Sequence, residues 1–414
     1  MDINTIIIYV VSFVSIYTTV LFFLTLFEFK PYLKNPISSK LPKVTVLVPA
    51  YNEEKGISKT IESLLSMNYP KEMVEIILIN DGSKDNTLQI MKEYEKNNKD
   101  RIKVIDKPNS GKANSLNYVL KYVTGELVGV LDADAFVPED TLKKMVGYFE
   151  RPKVMAVTPS IKIWDPKGIL ERIQYVEFLS SSYIRKIMSF LGSVPVAPGC
   201  FTIYRKSFFD EYGGWDPSTI TEDIELSLRV ETKHFFVENA IDANVYTKGL
   251  SNFEILKRQR IRWNRGLIDN MLKHKQLFHP RFGNLAVFIL PGTLLVILLT
   301  FIATLFSLSL VGFNMYRLIK QLILYDFNLF LWFEYSLDPF FFSATPSILF
   351  VLLILIVGVF VIYLSKIFSK ETQKTRYSLP FFLLLYSFLF TYWWVLAFFY
   401  LVKNKKVKWG SISG

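Results

Sequence analysis

The chain has 414 residues and a formal net charge of +11, and 51% of its residues are hydrophobic while only 21% are charged. A mean hydropathy of +0.27 and an aromatic content of 16% exclude a disordered chain and argue against a fully soluble one. The single cysteine, Cys200, excludes an internal disulfide, and with three histidines it cannot form a Cys/His zinc site. Any bound metal is therefore expected on carboxylates.

The first element is an apolar segment, residues 5–27, that holds no charged residue. It is long enough to cross ~30 Å of hydrocarbon. It lacks the basic start and small-residue cleavage site of a signal peptide, so we expect residues 1–30 to form an uncleaved transmembrane helix. Basic residues follow at once, and the positive-inside rule then puts the next domain, residues 31–275, in the cytoplasm.

From residue 44 onward, short β-branched runs alternate with helical patterns, which is typical of a parallel sheet covered by helices. We expect strands at 44–48, 75–80, 102–105 and 126–131 and helices near 56–67, 86–97 and 112–123. Ligands of such sheets bind beyond the carboxyl ends of the strands. Three of these ends carry polar residues, at 49–54, 81–83 and 132–134, so we expect the three loops to meet at one crevice.

Several of these polar residues have both a functional and a structural interpretation. Asp132 and Asp134 could face a ribose and a divalent ion, because Mg²⁺ and Mn²⁺ prefer oxygen ligands, but paired acids also end strands by chance. Lys112 opens a helix and could meet a phosphate there, although a lysine at a helix start is more often simply solvated. Asp223 also opens a helix, where it could favour the dipole or act as a general base toward a sugar hydroxyl.

Two further segments, about 167–191 and 252–275, are expected to be amphipathic helices at the membrane surface. The first could equally be a core helix. The second brings Gln259, Arg262 and Trp263 to one helix face through their i, i+3 and i+4 spacing.

Residues 276–414 form the expected C-terminal transmembrane region with its basic tail. Three stretches without charge, residues 282–316, 346–365 and 378–402, are expected to span the bilayer. Segment 315–342 is apolar but holds five charged residues, so it could cross, re-enter or lie at the interface. Basic residues flank the last span on both sides, and charge therefore does not orient it.

Five motifs in this order resemble those of the membrane-integrated family 2 glycosyltransferases, which include hyaluronan, chitin, poly-N-acetylglucosamine and cellulose synthases and ceramide glucosyltransferase. The motifs are Pro49-x-Tyr51-Asn52-Glu53, Asp81-Gly82, Asp132-x-Asp134, Gly214-Trp215 with Thr221-Glu222-Asp223, and Gln259-x-x-Arg262-Trp263. The resemblance implies an α/β GT-A domain, Rossmann-like and cytosolic, fused to an α-helical transmembrane domain. It also implies a UDP-sugar donor, with UDP-N-acetylglucosamine first, Mn²⁺ or Mg²⁺ as cofactor, and inversion at the anomeric carbon.

The resemblance also implies a role for each matching residue. Asp223 matches the catalytic base, Asp134 the metal ligand, and Arg262 a residue that holds the diphosphate during catalysis. The other residues matched to the nucleotide sugar are Pro49, Tyr51, Glu53, Asp81, Lys112, Asp132 and Gln259. The residues on the acceptor side are Trp263, Cys200, Glu222 and Trp215.

Near the carboxyl end, Trp409 resembles the gating segment of hyaluronan and chitin-type synthases, with Ser411 and Ile412 in place of Thr and Arg. A cytosolic gating segment requires an even number of crossings after the domain. Segment 315–342 would then cross, and the loop from Lys366 to Arg376 would lie outside. A second departure is at residues 246–249, where Lys248 and Gly249 replace the Glu and Pro of the family's Tyr-Thr-Glu-Pro.

These features predict an inverting glycosyltransferase of the cell membrane that extends a β-linked polysaccharide and translocates it across the bilayer. The alternative is transfer of one sugar to a membrane lipid, as in ceramide glucosyltransferase. A non-enzymatic receptor or transporter that kept the nucleotide fold is a third hypothesis. No recognisable nucleic-acid-binding module is present, so a nucleic-acid partner is not expected despite the basic charge.

Overall fold

The β-branched runs form a mixed eight-stranded sheet in the order β3-β2-β1-β4-β7-β6-β8-β5. This computed structural model describes residues 3–324, 327 and 346–403. The strands are β1 (Val44–Ala50), β2 (Val74–Asp81), β3 (Ile102–Lys107), β4 (Leu127–Val130), β5 (Ala135–Phe136), β6 (Val154–Trp164), β7 (Thr202–Arg205) and β8 (Phe236–Lys248). The predicted positions of the first four strands are confirmed.

The α-helices of the described residues are α1 (Ile3–Glu28), α2 (Ile57–Leu65), α3 (Thr87–Asn97), α4 (Lys112–Val119), α5 (Thr141–Val146), α6 (Ile169–Phe190), α7 (Lys206–Tyr212), α8 (Glu222–Thr232), α9 (Phe253–Lys273), α10 (Leu290–Leu324), α11 (Pro346–Phe368) and α12 (Leu379–Val402). Strands β1 to β4 pair in parallel, β7 pairs antiparallel with β4 and β6, and β5 closes the far edge antiparallel to β8.

The sheet is covered on both faces because alternate residues of a strand point to opposite sides. Val46 and Val48 of β1 lie in one cluster with Ile61 of α2, whereas Leu47 lies in the other cluster with Leu116 of α4. Continuous apolar strands buried on both faces are what a helix-covered parallel sheet requires. This α/β core is the expected GT-A-like arrangement.

Helix α6 lies between the sheet and the apolar helices, and its buried residues contact other parts of the protein. Tyr175 and Val176 share a cluster with Ile362 of α11, and Tyr183 packs with Leu26 of α1. The side chain of Glu171 caps the helix by accepting from the backbone N–H of Gly168 at 3.0 Å. The helix is therefore a packed connection between two parts of the molecule, and lipid is not the partner of these residues.

Three helices of the described residues are long and apolar enough to cross a membrane: Ile6–Glu28, Leu285–Leu324 and Leu379–Val402. Within α11, the stretch Leu352–Phe368 is a shorter apolar helix. Helix α10 continues through residues 315–324, the start of the segment that sequence left undecided, and residues 328–345 lie outside the described part of the chain.

The loop at residues 366–376 packs against the sheet domain, so the expectation that it lies outside is wrong. Lys162 of β6 and Glu371 form an ion pair at 3.1 Å, and both side chains are fully buried. Lys370 pairs with Asp242 of β8 at 2.7 Å. That expectation came from the resemblance of the carboxyl end to a cytosolic gating segment, which required an even number of crossings after the domain, and not from the charge pattern.

Candidate active site

The carboxyl ends of β1, β2 and β4 lie side by side because these strands are parallel neighbours. The turn at residues 132–134, after β4, is held from α2: the Thr60 hydroxyl lies 2.8 Å from the carbonyl oxygen of Ala133 and 2.7 Å from that of Ala135. Sequence analysis missed Thr60, because a buried threonine inside a helix carries no signal of a positioning role.

Asp81, at the end of β2, holds the loop that leads into α4 in place through its hydrogen bonds. Its carboxylate accepts from the Lys107 ammonium at 2.6 Å, the N–H groups of Ser110 and Gly111 at 2.9 Å each, and the Ser115 hydroxyl at 2.8 Å. Burial opposes ionisation, but the hydrogen bonds, with that of Lys107 the strongest, keep the pKa of Asp81 below its usual value. Both oxygens are occupied, so direct contact of Asp81 with the nucleoside stays a prediction.

The carboxylates of Glu53, Asp132 and Asp134 lie near one another beside this loop and form an acidic pocket, in which all three residues are partly exposed. At Gly56, a Cβ atom would lie 3.1 Å from the Ala133 carbonyl oxygen and 3.7 Å from a Glu53 carboxylate oxygen, so the loop after β1 closely approaches the 132–134 turn. Burial and the charges of Asp134 and Asp132 raise the pKa of Glu53 to about 7. Burial and Asp132 raise the pKa of Asp134 to about 6. The pocket therefore carries an excess of negative charge.

Lys112, the first residue of α4, offsets part of this charge. Its Nζ lies 2.5 Å from Oδ1 of Asp132 and 3.5 Å from Oε1 of Glu222. Burial alone would lower the pKa of the Lys112 ammonium, but attraction to Asp132, Glu222 and Asp223 raises it above its usual value. The ammonium is thus charged and joins the 132–134 turn to the start of α8.

Asp223, in the first turn of α8, lies on the other side of Lys112. One carboxylate oxygen accepts from the N–H of Gly199 at 3.0 Å and the other from the N–H of Ile224 at 2.9 Å. A Cβ at position 199 would lie 2.9 Å from the Lys112 Nζ, which explains a glycine there. Asp223 is partly exposed whereas Glu222 is 7% exposed, so Asp223 is the more accessible acid.

The residues predicted to share a face lie on α9, next to α8. Arg262 donates to the carbonyl oxygen of Ile220 at 3.3 Å, just before the α8 acids. Trp263 stacks on Phe178 with ring centroids 6.2 Å apart. The Oε1 atom of Gln259 is buried and has no hydrogen-bond partner within the described residues. A buried acceptor without a donor is unfavourable, so a ligand hydroxyl would be a fitting partner.

Contacts between α9 and α8 supply a positioning element that sequence analysis missed. The Asn270 amide donates to the carbonyl and hydroxyl oxygens of Thr221 at 3.2 and 2.9 Å. Gly266 lies against Thr221, where a Cβ would overlap with the threonine side chain. The spacing in the sequence could have placed Gly266 and Asn270 on the same helix face as Gln259 and Trp263, because positions 259, 263, 266 and 270 follow one another at intervals of three or four residues.

Two residues predicted on the acceptor side are buried. Trp215 is 3% exposed and packs on Phe209 with ring centroids 4.5 Å apart, and the Asn117 side chain bonds both its N–H and its carbonyl. Cys200 is 6% exposed, and burial, followed by the charges of the neighbouring carboxylates, raises the pKa of its thiol. Cys200 lies near Asp132 and Asp134, whereas Trp215 packs in the core, and direct contact of either residue with the acceptor stays a prediction.

The remaining predicted residues lie at the end of β1, in the loop after it, or outside the residues that the structure describes. Pro49 pairs with Ile79 at the end of β1, and Tyr51 is half-buried in the following loop. The next residue, Asn52, has a positive φ of 56° and its N–H donates to the Ser83 hydroxyl at 3.0 Å. Trp409 lies outside the described residues, so its gating role stays a prediction.

The assembled geometry suits transfer of an electrophilic group from an anionic leaving group. The Lys112 ammonium pairs with Asp132, the Arg262 guanidinium lies at the Ile220 carbonyl just before α8, and the Asp223 carboxylate is held by two backbone donors. Cations stabilise charge that develops on a leaving phosphate, and a fixed carboxylate can accept a proton.

Comparisons with known proteins agree with this geometry. Residues 45–213 match the family described as Glycosyl transferase family 2. A poly-beta-1,6-N-acetyl-D-glucosamine synthase of Staphylococcus epidermidis is 35% identical over 233 residues, which cover 56% of each chain. That of Staphylococcus aureus (strain COL) is 34% identical over 236 residues, covering 56% of this chain and 57% of the relative. The chain thus spans about half the length of the curated relatives it matches.

The solved mannosyltransferase PcManGT from Pyrobaculum calidifontis, in complex with GDP-Man and Mn²⁺, superposes with a TM-score of 0.60 over 96% of this chain and 100% of that chain. At 17% identity this likeness shows the fold alone. Family match, ordered motifs and sheet agree, and the chain therefore carries a family 2 glycosyltransferase domain with a GT-A-like fold.

Proposed function

We propose that the protein is an inverting membrane glycosyltransferase that adds sugar from a UDP-sugar to the end of a growing β-linked polysaccharide. The curated relatives at 34–35% identity are poly-beta-1,6-N-acetyl-D-glucosamine synthases, which supports a processive synthase and UDP-N-acetylglucosamine as donor. The observation that carries the proposal is the meeting of Lys112, Asp132 and Asp223 at the carboxyl ends of the parallel strands.

A divalent cation fits the acidic pocket when it is shared with the donor. The described residues hold no group of three or more His, Cys, Asp or Glu side chains suited to bind a metal alone. Mg²⁺ commonly uses one or two carboxylates together with substrate phosphates, so Asp134, with Asp132 nearby, matches that requirement. Burial, followed by the charge of the neighbouring carboxylates, raises the pKa of Asp134 and Glu53, and the negative charge of these groups favours such a cation. When bound, it would neutralise charge on the diphosphate.

The chain's own residues would divide the chemistry between them. Asp223 accepts the proton of the acceptor hydroxyl as that hydroxyl attacks the anomeric carbon from the face opposite the leaving diphosphate. Lys112 and Arg262 stabilise the charge that develops on the departing UDP. Trp263 offers an aromatic face to the acceptor sugar. The Oε1 atom of Gln259, unpaired within the described residues, accepts a hydrogen bond from a hydroxyl of that sugar.

We further propose that residues 1–30 and 276–414 are membrane-embedded and carry the product across the bilayer, with the domain at residues 31–275 in the cytoplasm. The apolar helices and their direct packing on α6 and α9 support this arrangement. Lipid and acceptor would then meet the site at the same side of the domain.

The test is to incubate the detergent-purified protein with labelled UDP-N-acetylglucosamine and Mn²⁺ and to size the product. A ladder of saccharides supports the proposal. One lipid-soluble product would instead establish single transfer to a membrane lipid. Failure to release UDP from this or any other UDP-sugar of a panel would overturn the proposal.

A further inference from the structure

Lys248 lies directly across a strand ladder from the acidic turn. Strands β5 and β8 pair antiparallel, with Ala135 opposite Thr247 and Phe136 opposite Tyr246. Continuing this register by one residue places Asp134 opposite Lys248. Residues directly opposite in an antiparallel pair point to the same face, with Cβ atoms about 4.5–5.5 Å apart.

The end of β8 is held in place, so Lys248 is not part of a loose loop. Lys248 also pairs with Trp164 of β6 in the parallel ladder on the other side. At Gly249, a Cβ would lie 2.9 Å from the Ile163 side chain and 3.0 Å from that of Glu171, so the chain packs tightly against α6. These contacts fix the backbone from which the Lys248 side chain extends.

The ammonium of Lys248 is available to a ligand. The side chain is exposed, and no hydrogen bond or ion pair to it is present among residues 3–324, 327 and 346–403. Its positive charge acts on Asp134, where with that of Lys112 it opposes the effects of burial and of Asp132 on the pKa. Lys112, by contrast, is already engaged with Asp132 and Glu222.

We infer that Lys248 is a second cationic residue of the donor site, which binds the diphosphate of the sugar nucleotide from the Asp134 side, across from Lys112. The inference rests on the proposed function. It has a specific electrostatic consequence, because a fixed cation beside Asp134 attracts a diphosphate and repels a divalent metal ion. Removing that charge must change the two affinities in opposite directions.

The experiment uses the full chain in detergent at pH 7.5. Mn²⁺ binding without nucleotide is measured from the EPR signal of the free ion, and UDP binding in EDTA is measured by calorimetry. We expect Lys248→Gln to tighten Mn²⁺ binding and to weaken metal-free UDP binding, each by about tenfold. Lys248→Arg keeps the charge and restores both values toward those of the unmodified protein.

The matched control is Lys153→Gln, an exposed lysine at the opposite end of the same pair of strands, which leaves both affinities unchanged. Equal affinities in Lys248→Gln and the unmodified protein overturn the inference, and so does a loss of both together, which a merely structural role produces. Absence of UDP binding to the unmodified protein, with and without Mn²⁺, defeats the proposed function itself.

Discussion

Two adjacent acids, Glu222 and Asp223, have different surroundings, and this difference supports the proposal that Asp223 is the base. Glu222 is 7% exposed and close to the Lys112 ammonium, and burial, against the attraction of Lys112, raises its pKa. Asp223 is partly exposed and accepts two backbone hydrogen bonds. Asp223 is therefore the more accessible of the two acids, as the proposed base must be.

Asp223→Asn tests this assignment. The amide is nearly isosteric but cannot accept a proton, so we expect transfer to fall by about 10²-fold or more while UDP affinity changes little. UDP release and UDP binding are measured on the same preparation. Asp210→Asn, at an exposed acid on α7 paired with Lys206, is the control and retains full activity. Normal turnover in Asp223→Asn would contradict the assignment.

Glu231 of α8 sets a pH dependence of stability outside the site. Its Oε1 accepts from the N–H of Val194 at 3.0 Å, and burial, with a smaller effect of Glu238, raises its pKa to about 8. The folded state therefore keeps a proton that the unfolded state releases near the ordinary value of 4.5. The contribution of Glu231 to the free energy of unfolding is therefore fully present below pH 4.5 and is lost as the pH rises toward 8.

Glu231→Gln removes this dependence because the amide stays neutral. We expect its melting temperature to exceed that of the unmodified protein by about 2–5 °C at pH 8, with the difference shrinking at pH 5. Thermal unfolding in detergent at both pH values is the measurement. Glu211→Gln, at an exposed position of α7, is the control and shows no gain. A constant difference at both pH values would refute the argument.

The proximity of some residues could be predicted from sequence and that of others could not. The ordered motifs and the resemblance they carry predicted Lys112, Asp132 and Asp223 at one site, and the structure brings these three residues together. The burial of Trp215 was not predictable. No sequence pattern links it to Phe209, and Asn117, which also contacts it, is distant in sequence.

The pair of helices α8 and α9 holds Asp223, the proposed base, near Arg262. Gly266→Ala adds a methyl group that overlaps with the Thr221 side chain, so α9 must move away from α8. Overpacking of this kind costs about 1–3 kcal/mol. We expect a lower melting temperature and a transfer rate reduced more than UDP affinity.

The control for this variant is Gly292→Ala in α10, where an added Cβ meets nothing within 4 Å among the described atoms. It should leave the melting temperature and transfer rate unchanged. If Gly266→Ala also changed neither the melting temperature nor the transfer rate, close contact between α8 and α9 would not position the proposed base.

Strands and helices of the first half were predictable because local patterns determine them. The predicted helices at 86–97 and 112–123 correspond to α3 and to α4 with the turn after it. The partners of α6 were not predictable, since its apolar residues satisfy helical spacing whether they meet a sheet, lipid or other helices. Only the packed structure distinguishes these partners.

At the scale of the whole molecule, the loop at residues 366–376 and the sheet domain lie on the same side of the helices. Lys374 is exposed in that loop. In a Cys200→Ala background, we expect Lys374→Cys to react with a membrane-impermeant maleimide in inside-out vesicles and not in intact cells. Lys84→Cys, exposed in the sheet domain, is the control and must show the same pattern. Labelling of Lys374→Cys from the outside of cells would contradict the arrangement.

This arrangement could not be deduced from the sequence. Basic residues occur on both sides of the last span, so the positive-inside rule is satisfied equally by opposite orientations. The deciding contacts, between Lys162 and Glu371 and between Asp242 and Lys370, join residues more than a hundred positions apart. No local pattern encodes them.

The buried pair of Lys162 and Glu371 restricts how this chain can be recombined with its relatives. A chimera that joined its sheet domain to the helices of a relative would leave the lysine without its anion in a site closed to water. An uncompensated buried charge costs about 3–5 kcal/mol, a large share of the stability of an ordinary domain. The two halves must therefore be inherited or engineered as a matched set, with the charge on one side exchanged only when the other changes with it.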